Sequence, residues 1–227
     1  ISVSDDTLIV TAGGPAVQFT RSRGKWSRTS PVKKRPKSGT TVSGLVKLWG
    51  KKDADAIISY LKRLRSPRGV DFYVNGQLVV RRESEERYTL SLPTVVFEAA
   101  GDGGRVQRER RCDAAVELFV DAADDEGNAQ SWVYEMGIPV EAIDFPLSID
   151  VGQRVPLREK RDTLTDKYRR ELYAKLLDAR VELGKVTPEQ MKDNHVLIAT
   201  QAHEHLSVAT KEAIADAYTG GKAYATT

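Results

Sequence analysis

The sequence predicts an α+β fold: a mostly antiparallel sheet with helices packed on one face, followed by C-terminal helices. Three observations predict it. Short alternating runs rich in β-branched residues fill much of the chain between residues 7 and 137. One segment among them, Asp53 to Leu64, repeats at helical spacing instead. After Pro156 the period lengthens to about four residues, with Leu164, Tyr168, Leu172, Leu176 and Leu183 in phase.

Residues 7–20, TLIVTAGGPAVQFT, predict two short strands turned by Gly13-Gly14-Pro15. Residues 21–38 are too basic and polar to pack, which predicts a mobile or ligand-ordered loop. A strand follows within 38–50, with Val42, Gly44, Val46 and Leu48 alternating. Asp53 is the expected N-cap of a helix carrying Ile57, Ile58, Leu61 and Leu64, which Ser66-Pro67-Arg68-Gly69 stops. In 70–82 two strands flank Asn75-Gly76, a pair suited to a type I′ turn.

Further strands are expected at 92–100, 105–112, 114–122 and 130–137. GDGG (101–104) and DDEGN (124–128) are the turns between them. SIDVGQRVPLREKRD (148–162) reads as a turn between the last strand and a helix over 163–183. Thr187-Pro188-Glu189-Gln190 opens another helix, with Thr at the N-cap, Pro at N1 and Gln at N3. That helix is expected to reach Tyr218, before Gly220-Gly221.

Composition bounds the function. No run of about 18 apolar residues exists, so no transmembrane helix and no membrane partner is expected. The N-terminus ISVSDD lacks the positive and apolar regions of a signal peptide. It also lacks an initiator Met, so the chain is expected to be processed or cut from something longer. The single Cys112 suits a reducing compartment and a cytoplasmic location, and reads as a small strand residue. The net charge of +3 hides an asymmetry. Eleven Lys and Arg and no acid lie between Thr7 and Lys52, whereas residues 53–227 hold 24 basic against 30 acidic residues.

Most candidate chemistry has a plain reading. His203 and His205 point to different faces of a helix, and His195 lies about 12 Å further along it, so exposed helical histidines are expected rather than a metal site. DAADDE (121–126) lacks the ligand spacing of a calcium loop. No P-loop, Gly-x-Ser-x-Gly or paired Cys motif is present.

Two segments hold more. In the basic block, Lys33, Lys34, Arg35 and Lys37 around Pro31 and Pro36 form an arm able to track phosphates, with Trp26 available to stack on a base. A solvated loop is its plain alternative. In GQRVPL (152–157), Gly152 permits an unusual backbone angle and Pro156 fixes the exit, which directs Gln153 and Arg154 outward. Gln donates a neutral hydrogen bond and Arg neutralises charge, a pairing suited to a phosphate in another domain. An ordinary polar connection is the alternative here.

The order of these pieces resembles the GHKL ATPase superfamily, which includes gyrase B and MutL. The resemblance rests on Gly39-Thr40-Thr41-Val42 entering a strand, the helix after it, VNGQLV (74–79), a sheet, and GQRVPL before a long helix. IDVGQRVPL with the following Arg-Asp looks closest to the phage rapid-lysis (rIIA-type) ATPases. The resemblance implies that residues 1–50 end an ATP-binding domain and that 51–185 form a transducer with a ribosomal-protein-S5-like (domain 2) fold. Residues 186–227 would be a helical extension. It further implies that Gln153 and Arg154, with Lys160 as backup, sense the ATP γ-phosphate. Gly39, Thr40 and Thr41 would close the nucleotide site. ATP and Mg would be held by a domain upstream in the same polypeptide, because the family's Asp-x-Gly-x-Gly motif is absent from this chain. The chain alone would then not hydrolyse ATP, and nucleotide would drive homodimer closure or a DNA-related change. Two rivals stand beside it: a non-enzymatic nucleic-acid-binding module using the arm 21–37, and self-association through the last helix.

Overall fold

The computed structural model describes residues 6–12, 14, 16–31, 38–44, 50–99, 104–121, 129–159 and 162–220. It is α+β, and it divides into two compact units, Ile1–Ser59 and Tyr60–Thr227.

The first unit is a four-stranded antiparallel sheet, made of β1 (Asp6–Thr11), β2 (Val17–Ser22), β3 (Lys25–Thr29) and β4 (Thr40–Gly44) in the order β3-β2-β1-β4. The expected pair of strands around residue 14 is present, with Leu8 opposite Gln18. The loop expected over 21–38 is corrected: its first part is a hairpin, Arg21–Trp26 and Ser22–Lys25 in register, turned at Arg23-Gly24. Lys33, Lys34, Arg35 and Lys37 lie outside the described residues. Thr7, Val10 and Ala16 are buried, while β3 and β4 are exposed throughout. Helix α1 (Lys51–Arg63) then begins. Asp53 lies in its first turn rather than at its N-cap, and its carboxylate reaches back to accept the Gly50 N–H at 2.9 Å.

The second unit holds a small hairpin, β5 (Tyr73–Val74) and β6 (Gln77–Leu78), and a five-stranded sheet. The sheet strands are β7 (Glu86–Ala99), β8 (Arg105–Phe119), β9 (Ser131–Glu135), β10 (Ile138–Ile143) and β11 (Ser148–Val151), ordered β10-β9-β11-β8-β7. All pairs are antiparallel except β11–β9. The parallel pair follows from direction: β10 turns back beside β9, and β11 turns again but lands on the far side of β9. The two strands expected at 105–112 and 114–122 are one continuous strand, and SIDV begins no turn but forms β11.

One sheet face carries Tyr88, Leu90 and Leu92 from β7 and Ala114, Val116 and Leu118 from β8, all buried. Helix α2 (Asp166–Glu182) covers this face through Tyr168, Leu172, Leu176 and their neighbours, as its period predicts. The single helix expected from 187 to 218 is corrected. A 3-10 turn (Gln190–Lys192), α3 (Asn194–Thr200), a second 3-10 turn (His203–His205) and α4 (Val208–Thr219) replace it. Met191, Val196, Ala199, Ala202 and Leu206 join the same core as α2. His195, expected to be exposed, is buried with its ring 4.6 Å from Phe145. Burial lowers its pKa, so it acts as a neutral aromatic wedge.

On the opposite face Phe119 and Tyr134 pack at 5.2 Å beneath the guanidinium of Arg65, which lies 4.5 Å from the Phe119 ring. Arg65 also pairs with Asp150 at 2.8 Å and Glu117 at 2.5 Å, and donates to Ser84. No helix among the described residues is long and apolar enough to cross a membrane.

Candidate functional site

All four residues of β11 are buried, and the strand is paired on both sides. It delivers the chain at a fixed position to Gly152. The Gly152 N–H donates to the Ala115 carbonyl at 2.8 Å, and a Cβ at 152 would stand 3.0 Å from that oxygen. Close approach, rather than a left-handed backbone, is what glycine provides here.

The next residues are pinned one by one. Gln153 Nε2 donates to the carbonyls of Leu92 (3.2 Å) and Pro93 (3.3 Å) on β7. The Arg154 carbonyl accepts the Thr94 hydroxyl at 2.9 Å. The Val155 N–H donates to Glu135 Oε2 at 2.9 Å, and Val155 itself is buried in the core. Leu157 bridges to Leu164, and the Thr165 N–H donates to the Pro156 carbonyl at 3.1 Å. Arg158 Nη2 reaches both carboxylate oxygens of Asp166, at 2.7 and 2.8 Å, in the first turn of α2. That hydrogen bond, with the charge of Arg158, holds the Asp166 carboxyl below its ordinary pKa.

The result is a braced loop over 152–159 tied directly to the start of α2. The Gln153 amide nitrogen, expected to point outward, is instead engaged by two carbonyls. The Arg154 side chain is instead exposed, its guanidinium 5.2 Å from the Phe97 ring. Between loop and ribbon lies a cleft of about 220 Å³ walled by Phe97, Gln107, Glu135, Arg154 and Arg158 among others. Two guanidinium groups, Arg154 and Arg158, and two carboxylates, Glu135 and Glu159, share its lining with apolar side chains.

The other expected site residues fall in the first unit. Gly39 has φ of 77°, nothing stands within 4 Å of where its Cβ would be, and its carbonyl accepts the Ala12 N–H at 2.9 Å. Thr40 and Thr41 are exposed on β4, and the Thr40 hydroxyl donates to Thr11 Oγ1 at 3.3 Å. Trp26 is 44% exposed on β3. Lys160 lies outside the described residues. Sequence reasoning missed Thr94, Glu135 and Asp166, which brace the loop. Only Asp166, an acid in the first turn of a predicted helix, carries a local signal.

Among the described residues, no three His, Cys, Asp or Glu side chains converge on a point that would hold a metal ion. Comparison with family models, with curated proteins and with solved structures returns no match for this chain.

Proposed function

We propose that this chain is the transducer-bearing part of a GHKL-type ATPase, in which loop 152–159 passes the nucleotide state of an upstream ATP-binding domain to α2. The observation that carries the reading is the loop itself: a backbone braced at nearly every residue, with the Arg154 guanidinium exposed and the far end bonded to the first turn of α2. A loop held this way moves as a unit, so a contact made at Arg154 shifts the start of α2.

The resembling motifs fall on suitable elements. Gly39 precedes β4, α1 follows, Asn75-Gly76 turns a hairpin, and GQRVPL leaves a buried strand. Arg154, in the second unit, presents an exposed guanidinium that suits a phosphate contact; taken by itself, the first unit holds exposed Thr40 and Thr41 beside an unencumbered Gly39. ATP with Mg, bound upstream, would supply the charge to which Arg154 responds. Gln153 holds the loop on β7, and Arg154 is the outward contact. Dimer closure is the expected consequence.

The test uses the full encoded polypeptide and a non-hydrolysable ATP analogue, with dimerisation followed by sedimentation. The analogue should drive dimerisation, and Arg154→Ala should raise the required concentration about tenfold or more, as loss of a charge-assisted hydrogen bond does. Absence of an upstream Asp-x-Gly-x-Gly motif, or dimerisation indifferent to nucleotide, would sink the proposal.

A further inference from the structure

The β2–β3 hairpin separates its side chains into two unlike faces. Paired residues on antiparallel strands project to the same side, and so do residues two apart. One face therefore carries Phe19 opposite Arg28 and Arg21 opposite Trp26. The Arg21 guanidinium stands 5.8 Å from the Trp26 ring. The other face carries hydroxyls, with Thr20 and Ser27 bonded to each other at 2.6 Å. Arg23 occupies the tip and Lys25 follows the turn. Among the described residues, none of Arg21, Arg23, Lys25 and Arg28 has an acidic partner.

This arrangement is poorly explained by stability. A Trp with 44% exposure forgoes much of the burial its ring offers. Four cations within residues 21–28 of the hairpin repel one another until an anion neutralises them. An alternating row of rings and guanidinium planes matches a chain that itself alternates flat bases with phosphates. Double-stranded nucleic acid offers the phosphates but hides the base faces.

We infer that the Phe19–Arg28 and Arg21–Trp26 face of this hairpin binds single-stranded nucleic acid, stacking a base on Trp26 and pairing the arginines with flanking phosphates. The inference does not rest on the transducer reading and survives its failure.

The test measures anisotropy of labelled oligo-dT, oligo-rU and a duplex of equal length against the whole chain, between 50 and 200 mM salt. Either single strand should bind more tightly than duplex. Trp26→Ala should weaken binding about tenfold, and Trp26→Phe should restore most of it. Arg21→Ala with Arg28→Ala should make the log–log salt dependence shallower by about 1.4. Thr20→Ala, on the opposite face, should change nothing, and circular dichroism of each variant confirms that the hairpin variants fold. Three results overturn the inference: no single-strand binding at 50 mM salt, equal affinity for duplex, or affinity unchanged by Trp26→Ala but lost when Lys33, Lys34, Arg35 and Lys37 become Ala.

Discussion

Three hairpin tips share one backbone solution. Arg23-Gly24, Asn75-Gly76 and Met136-Gly137 all have positive φ at both positions, with values of 49° and 77°, 51° and 78°, and 50° and 83°. This is type I′ geometry, which matches the twist of the flanking strands. The glycines differ in surroundings. A Cβ on Gly24 would meet nothing within 4 Å, but one on Gly137 would come within 2.1 Å of the Arg65 carbonyl oxygen. Gly137→Ala is therefore expected to cost about 3 kcal/mol or more, and Gly24→Ala about 1 kcal/mol, in urea denaturation. Equal losses would contradict the account. Only Asn75-Gly76 was legible beforehand, because Asn tolerates a left-handed backbone and Arg and Met do not advertise it.

Arg65 was equally hidden, since it falls between Leu64 and the Ser66-Pro67-Arg68-Gly69 stop of the predicted helix, with nothing local to mark it as buried. Its side chain is fully buried between Asp150, Glu117 and Ser84. Arg65→Met should destabilise by about 3–5 kcal/mol, because the Asp150 carboxylate loses its counter-charge, whereas Glu117 keeps Arg68, Arg81 and Arg87. Burial pushes the Glu117 carboxyl up, but hydrogen bonds from Ser84 and Arg65, with the Arg65 charge, outweigh it and hold the pKa at about 2. The folded value lies below the ordinary 4.5, so the stabilisation is present above pH 4.5 and is lost as pH falls towards 2. Thermal melts of Glu117→Gln should show lower stability at pH 7 and a flatter acid limb than the parent. An unchanged acid limb would remove Glu117 from the account.

Among the elements, strands and helices were legible where period was strong and failed where continuity mattered. Asp113 looked like a break between two strands, yet it pairs with Ser91 within one. A charged residue on an exposed face does not end a ladder. The long C-terminal helix failed for the converse reason. The Thr187–Gln190 capping exchange is present, at 3.0 and 3.4 Å. The backbone nevertheless turns extended at Asp193 (ψ 154°) and Ser207 (ψ 164°), each opening a new helix. Both are residue types suited to an N-cap, but only the Ser207 hydroxyl caps its helix, accepting the Thr210 N–H at 3.2 Å. The Asp178 carboxylate, on α2, accepts the Ser207 N–H at 2.9 Å and the Thr210 hydroxyl at 2.6 Å. Asp178→Ala should therefore loosen the start of α4 at a cost of about 1–2 kcal/mol, with faster amide exchange confined to the region of 207–211. Exchange unchanged there would mean that α4 is held by its apolar contacts alone.

At the scale of the molecule, the sequence showed the α+β class and the concentration of positive charge before Lys52. It also marked the loop, through a Gly and a Pro four residues apart. It did not show what braces that loop, because Leu92, Pro93 and Thr94 lie some sixty residues away in the chain and meet it only through the sheet. We propose that this loop reports nucleotide. Amide hydrogen exchange of the full encoded polypeptide, with and without a non-hydrolysable ATP analogue, tests it most directly. The account predicts slower exchange across 152–159 and the first turn of α2 when the analogue binds, reduced by Arg154→Ala. Bound analogue that leaves exchange in those residues unchanged would contradict it.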